Sequence, residues 1–181
     1  MLQISVPISP EGWDERKQEF VEPKYQILQL EHSLVSISKW ESKWCKAFFS
    51  KRDKTSEETI DYIRCMTLTQ NVKPEVYEHL TKENISQIYE YINAPMTATT
   101  FREDPSNKGN KETVTSELIY YWMISFGIPV DFQKWHLNRL LTLIRVFNTK
   151  NQPARKMSKK EIMSQNAALN AARRKQLNTR G

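Results

Sequence analysis

The longest apolar-periodic run in the chain extends from Asp131 to Asn148 and reads DFQKWHLNRLLTLIRVFN. Its large apolar side chains cover far more than one stripe of a helix: Phe132, Trp135, Leu137, Leu140, Leu141, Leu143, Ile144, Val146 and Phe147. A helix with so narrow a polar face is typical of one that lies between two layers. Asp131 follows the turn signal Gly127-Ile128-Pro129 and is placed to accept from the first-turn N–H groups. We therefore expect one central buried helix over this run, capped by Asp131.

The same run is too short and too charged to cross a bilayer. A membrane-spanning helix needs roughly 20 apolar residues, and Arg139 and Arg145 interrupt this one. We expect the helix to form the centre of a soluble domain and expect no membrane partner.

The chain has 181 residues, 39% of them hydrophobic, which allows one domain with a real core and an appendage. Its four glycines are scattered singly, so no glycine-rich phosphate cradle can form and P-loop or dinucleotide binding is excluded. We predict a mainly α (α+β) fold. Residues 1–150 form a compact helical domain with a small N-terminal β element, and residues 151–181 form a linker and a basic helical tail.

Cys45 and Cys65 are isolated thiols without a CxxC pairing. They favour a reducing compartment and argue against a disulfide scaffold or a structural zinc site. The first residues, MLQISVPISPEG, have no basic patch followed by an apolar stretch. We therefore see no secretion signal and expect a cytoplasmic protein.

The formal charge of +6 is concentrated at the C-terminal end. Residues 150–181 contain nine basic side chains and one acidic one, a formal +8, which leaves −2 for the rest of the chain. A generally basic nucleic-acid-binding surface on the body is therefore disfavoured.

The N-terminal region carries strand signals. Leu2 to Val6 alternates apolar and polar residues and ends at proline, so a short strand is predicted. The stretch Trp13 to Val21 has an aromatic residue on each side of a charged turn, which favours a small hairpin over a helical turn. A second strand is predicted over Gln26 to Glu31.

Helical signals follow. Between Ser33 and Trp44, apolar residues recur every three or four positions and place Trp40 and Trp44 on one face. The two rings could form an aromatic cage or a base-stacking platform, but we favour rings that cover one end of a core, each indole N–H reaching a polar partner or the surface. Thr55 and Glu58 have the spacing of a capping box.

Three further features lie between Pro74 and Phe126. Pro74 fits the first turn of a short helix, and a helix from about residue 81 carries the stripe Ile85, Ile88, Tyr89 and Ile92. Residues 102–112, REDPSNKGNKE, are polar and aperiodic and are predicted to form a surface loop. Ser116 is predicted to cap a further helix that ends at Phe126.

The tail contains a second capping-box pattern at Ser158 and Glu161, followed by residues that favour helix. Its apolar stripe is too thin to hold a core, so this helix must dock on something or remain partly unfolded. We predict that its partner-binding residues are Lys159, Lys160, Ile162, Met163, Leu169, Arg173, Arg174, Lys175, Leu177 and Arg180.

Three interpretations of the tail compete. It could be a solvated extension, or its clustered cations could neutralise nucleic-acid phosphates. It could instead dock on a protein partner, with small alanines permitting close approach and arginines pairing with acids. No aromatic residues are interleaved with the cations, so we favour the protein partner.

Catalytic signals are weak. The histidines are His32, His79 and His136, with no HExxH motif and no other close pair of ligands. His136 beside Trp135 is more typical of a hydrogen-bonded core or boundary histidine than of a catalytic base. Serines that lie near carboxylates are explained by helix capping. We expect no enzymatic activity, cofactor or metal.

Four segments of the chain resemble a family of small tail-morphogenesis proteins of tailed bacteriophages, of the kind described as tail assembly chaperones. They are KWESKW (residues 39–44), YIRCMTLTQNV (residues 62–72), WHLNRLLTLIRV (residues 135–146) and NAALNAARRKQLNTRG (residues 166–181).

The resemblance implies a non-enzymatic protein of the host cytoplasm that binds the long, aggregation-prone tape measure protein during tail assembly. A neck or connector component of the virion, bound to neighbouring virion proteins, remains an alternative, with nucleic-acid contact by the tail as a third. Self-association into a homo-oligomer is compatible with each of these.

Overall fold

The computed structural model describes residues 1–8, 12–14, 19–21, 24–101, 113–151 and 159–178; for residues 12–14, 19–21 and 161 it describes the backbone alone. The strands are β1 (Leu2–Pro7), β2 (Gly12–Asp14), β3 (Glu19–Val21) and β4 (Tyr25–Leu30). The α-helices are α1 (Leu34–Trp44), α2 (Ser56–Met66), α3 (Lys82–Asn93), α4 (Ser116–Ser125), α5 (Leu137–Asn151) and α6 (Lys159–Leu177). The predicted fold class, mainly α with a small N-terminal β element, is confirmed.

The N-terminal strands form two antiparallel pairs. β1 pairs with β4, and their alternating sequences place Ile4, Val6, Leu28 and Leu30 on the buried face. β2 pairs with β3, which confirms the hairpin predicted between Trp13 and Val21. The β1–β4 sheet thus presents one apolar face to the helices.

α1 lies at the centre of the helical layer. Ser33 caps it by accepting from the N–H of Ser36, and its Leu34, Ile37 and Trp40 are almost fully buried. α2, α4 and a 3-10 helix at Val130–Lys134 all contact it. The side chains from these elements and the sheet form one hydrophobic core.

Local capping signals are confirmed where both partners are close in sequence. The Thr55 hydroxyl accepts from the Glu58 N–H while the Glu58 carboxylate accepts from the Thr55 N–H, which completes the predicted capping box of α2. Pro74 begins the predicted short helix, which is a 3-10 helix over Pro74–His79. α3 begins after a similar box between Thr81 and Asn84.

The prediction that one helix begins at Asp131 was wrong. Asp131 lies within the Val130–Lys134 3-10 helix, and α5 begins only at Leu137. The cause is a long-range contact: His136 forms a β-bridge with Ser33, and the N–H of Leu137 donates to the His32 carbonyl at 2.7 Å. That bridge holds His136 in extended pairing, so an α-helix cannot run through it.

The buried face of α5 is also narrower than predicted. Only Leu137, Leu140 and Ile144 are fully buried, while the flanking apolar side chains are half-buried against the core. α5 therefore packs through one stripe rather than lying between two layers.

Thr115, and not Ser116, caps α4, because its hydroxyl accepts from the N–H of Leu118. The N–H of Ser116 donates to the buried Glu41 carboxylate of α1 at 2.7 Å. α4 ends at Ser125, and Gly127 lies two residues beyond it with a φ of 63°, in the left-handed region. This geometry allows the Ile128 N–H to reach the Met123 carbonyl at 2.8 Å.

The chain divides into two compact units, Met1–Phe147 and Asn148–Gly181. Within the described ranges, no helix is both long and apolar enough to span a membrane. The predicted surface loop at residues 102–112 and the predicted cap Ser158 lie outside the described residues.

Candidate functional site

The predicted partner-binding helix exists as α6, 19 residues from Lys159 to Leu177. Every side chain described in it is exposed, including those of Ile162, Met163, Leu169 and Leu177. Of the predicted partner-binding residues, all but Arg180 lie on this helix; Arg180 falls outside the described part of the chain.

α6 combines a weak apolar stripe with a high positive charge. Ile162, Leu169 and Leu177 are seven and eight residues apart, so they fall on the same side of the helix. Five basic residues against Glu161 give it a formal charge of +4. Such a helix can contribute apolar burial and charge-assisted hydrogen bonds to an acidic partner.

Trp40 and Trp44 cover one end of the core, as predicted. The indole N–H of Trp40 donates to the carbonyl of Glu58 at 2.9 Å, and that of Trp44 donates to the carboxylate of Asp61 at 2.9 Å. The chain's own lysines lie over the rings, with Lys46 Nζ 5.3 Å from the Trp44 ring centroid. The two rings are thus engaged in holding α1 to α2.

Two carboxylates of α2 are neutralised beside these rings. Lys46 pairs with Glu58, and its hydrogen bond, together with the Thr55 N–H, holds the pKa of the Glu58 carboxyl below its ordinary value. Burial acts to raise the pKa of Asp61, but Lys43, with the Trp44 indole and Arg64, keeps the pKa low. The Lys43–Asp61 pair joins α1 to α2, and the Lys46–Glu58 pair joins the segment that follows α1 to α2. Both carboxylates therefore have a structural role.

The two buried histidines meet where four elements join. The rings of His32 and His136 lie 5.1 Å apart between centroids, His32 Nδ1 is 2.6 Å from the Tyr62 hydroxyl of α2, and His136 Nε2 is 3.0 Å from the Tyr91 carbonyl of α3. Nδ1 of His136 is buried and has no hydrogen-bond partner among the described residues. This arrangement is the hydrogen-bonded core histidine predicted for His136.

Burial governs the titration of this pair. It lowers the pKa of His32 to about 3, with a second contribution from the proximity of His136, and it lowers the pKa of His136 as well. Both rings are therefore neutral at pH 7. Within the described ranges, no three His, Cys, Asp or Glu side chains come together in a way that could hold a metal ion.

A groove lies between α2, α3 and the Pro74–His79 3-10 helix; we call it the α2–α3 groove. It consists of two adjoining cavities of about 380 and 410 Å³. The two cavities share four lining residues, Lys54, Thr59, Ile85 and Tyr89. A separate cavity of about 350 Å³ lies on another face of α2, against Lys43 and Trp44 of α1.

The floor of the α2–α3 groove is apolar and its rim is charged. Ile63 and Ile88 are buried beneath it, Ile85 and Ile92 are half-buried, and Tyr89 stands at its edge with 52% of its surface exposed. The sequence predicted the Ile85–Ile92 stripe but could not predict that part of it would remain uncovered. Hydrophobic periodicity identifies the apolar face of a helix but not the element that covers it. The tyrosine within this stripe was the only sequence feature that suggested an uncovered edge.

Comparison of the chain with protein-family models, with curated proteins and with solved structures found no match.

Proposed function

We propose that this chain is a non-enzymatic tail assembly chaperone of a tailed bacteriophage, which binds the tape measure protein in the host cytoplasm during tail morphogenesis. The family resemblance of residues 39–44, 62–72, 135–146 and 166–181 suggests the role. The observation that carries the proposal is α6, a helix of 19 residues whose described side chains are all exposed and whose formal charge is +4.

A helix such as α6 is stabilised when a partner covers its apolar stripe. Isolated helices of about this length are marginal in water, and α6 leaves Ile162, Leu169 and Leu177 uncovered. A partner that covers this stripe would stabilise the helix and gain apolar burial at the same time. The surrounding arginines and lysines would select a partner segment that carries acidic groups.

The test is co-expression with the tape measure protein. The full chain is expected to keep the tape measure protein soluble and to co-purify with it, whereas a chain ending at Asn151 is expected to lose both effects. Reversing the charge of Arg173, Arg174 and Lys175 to glutamate should weaken the complex. The matched control reverses three exposed lysines of the first unit, Lys51, Lys73 and Lys82, and should not.

Three results would contradict the proposal. Equal solubility and complex formation with the chain ending at Asn151 would remove α6 from the binding role. Stoichiometric amounts of the chain in purified virions would favour a neck or connector component instead. Strongly salt-dependent binding of duplex DNA that requires residues 152–181 would favour the nucleic-acid interpretation.

A further inference from the structure

We propose that α6 binds one α-helix of a partner protein, and that this helix carries an acidic residue at each end of an apolar stripe, about 21 Å apart. The inference rests on the proposed function, in which α6 is the element that binds the partner. It adds which kind of segment α6 recognises.

The charges of α6 lie at the two ends of its apolar stripe. At about 100° per residue, Lys159, Ile162, Asn166, Leu169 and Arg173 all fall within about 80° of the helix circumference; we call these five residues the α6 seam. They alternate between three and four residues apart, which is the repeat of a helix that packs along a second helix. The first and last of them are separated by about 21 Å along the helix axis.

Both terminal cations of the α6 seam are available to a partner. Lys159 and Arg173 are exposed, and no carboxylate of the described residues lies within 4.0 Å of either charge. The one acidic position of α6, Glu161, is about 160° round the helix from Lys159. Residues 162–172 carry no charge. The seam therefore presents two separate positive charges, which two acids at the same separation complement.

The repeat of the α6 seam favours a helical partner segment. Side chains spaced three and four residues apart meet a second helix in register along the whole seam. A strand has a period of two and a rise of about 3.3 Å per residue, so it would align with only part of the seam. It would also bring unpaired N–H and C=O groups to Ile162 and Leu169. Asn166, midway between these two, favours a polar residue such as asparagine opposite it.

The α6 seam of a second copy does not complement this arrangement. A parallel pair would place Lys159 against Lys159 and Arg173 against Arg173, and an antiparallel pair would place each against the other. Like charges would meet at both ends in either orientation, which disfavours the pair. We therefore assign the seam to a helix from a different protein.

Duplex DNA complements the α6 seam poorly as well. DNA presents one negative charge per about 1.7 Å of its axis, whereas the seam has no cation between Lys159 and Arg173 and has Ile162 and Leu169 there. Phosphates opposite these two side chains would lose water without gaining a positive partner.

The test measures the binding of two designed helical peptides to the full chain by fluorescence anisotropy. The aligned peptide carries two glutamates 14 residues apart on one face, with leucine, asparagine and leucine between them at the spacing of the seam. The misaligned peptide has the same composition, with both glutamates on the opposite face. At low ionic strength the aligned peptide is expected to bind about tenfold more tightly. Arg173→Glu should weaken its binding about tenfold, and one of the two peptides with a single glutamate replaced by lysine should recover the affinity.

Lys175→Glu is the matched control. It changes the net charge by the same amount at the same end of α6, and Lys175 is also exposed, but it lies about 160° round the helix from Arg173. Binding of the aligned peptide should therefore change much less in Lys175→Glu than in Arg173→Glu. Circular dichroism should show the same helix content in both variants.

The inference is overturned if the aligned peptide does not bind, if the misaligned peptide binds equally well, or if the two substitutions weaken binding equally. A dimer that Leu169→Asn dissociates would assign the seam to a second copy, and displacement of the aligned peptide by duplex DNA would assign it to nucleic acid. Either result would also overturn the inference. Because designed peptides replace the tape measure protein, failure of this test and failure of the co-expression test are distinguishable.

Discussion

Acidification from pH 7.5 to pH 5 should weaken the folded state through His32. This side chain is buried, its Nδ1 is hydrogen-bonded to the Tyr62 hydroxyl, and its ring lies against that of His136. Burial lowers the pKa of His32 from 6.5 to about 3. Between these two values the unfolded chain binds a proton at this site that the folded chain does not.

The sign and size of the effect follow from that difference. Because the unfolded state binds more protons, the free energy of unfolding falls as the pH falls below 6.5. With one pKa unit equal to about 1.4 kcal/mol, the loss attributable to His32 at pH 5 is about 2 kcal/mol relative to pH 7.5. His136 acts in the same direction since its pKa is also lowered. Glu58 and Asp61 contribute only at lower pH, because the ordinary pKa values of their carboxyls are 4.5 and 3.8.

Urea unfolding followed by tryptophan fluorescence at several pH values measures this loss. In His32→Gln the fall in unfolding free energy between pH 7.5 and pH 5 should be about 2 kcal/mol smaller than in the parent chain. His79→Gln is the matched control, since His79 is exposed on the Pro74–His79 3-10 helix. An unchanged pH dependence in His32→Gln would refute the assignment of a buried neutral imidazole.

Three further substitutions should lower stability by amounts that thermal or urea unfolding can resolve. Glu41→Ala removes the carboxylate that accepts from the N–H groups of Phe48 and Ser116, both at 2.7 Å, and should cost about 3 kcal/mol because two backbone donors lose their partner; a loss below that of a surface substitution would contradict this role. Gly127→Ala should cost about 1 kcal/mol, since its φ of 63° disfavours a Cβ although nothing lies within 4 Å of one, and Gly127→Asn should cost less. Thr55→Ala should cost about 1 kcal/mol through loss of the α2 capping box, whereas Thr59→Ala on the same helix should cost less.

The structural elements whose determining contacts are local could be predicted from the sequence. The capping box of Thr55 and Glu58 spans three residues, and Pro74 fixes its own backbone, so both were predictable from a few letters. The alternation in β1 and β4 was equally informative because one face of that pair is buried.

The start of a helix could not be predicted where a contact with a distant segment determines it. Nothing near Asp131 reveals that the carbonyl of His32 takes the N–H of Leu137 and so delays the start of α5. The capping of α4 shows the same limit, because Ser116 is a good cap by residue type. In the fold its N–H is taken by Glu41, 75 residues earlier in the chain, and Thr115 performs the capping.

α6 and the α2–α3 groove differ in the same respect. The composition of α6 indicates how it would bind, because a helix with +4 charge and few apolar side chains can be recognised from sequence alone. The α2–α3 groove exists only because α2 and the Pro74–His79 3-10 helix leave one edge of the α3 stripe open at Tyr89. Contacts through α6 rest largely on charge, so a complex formed through this helix should weaken with added salt.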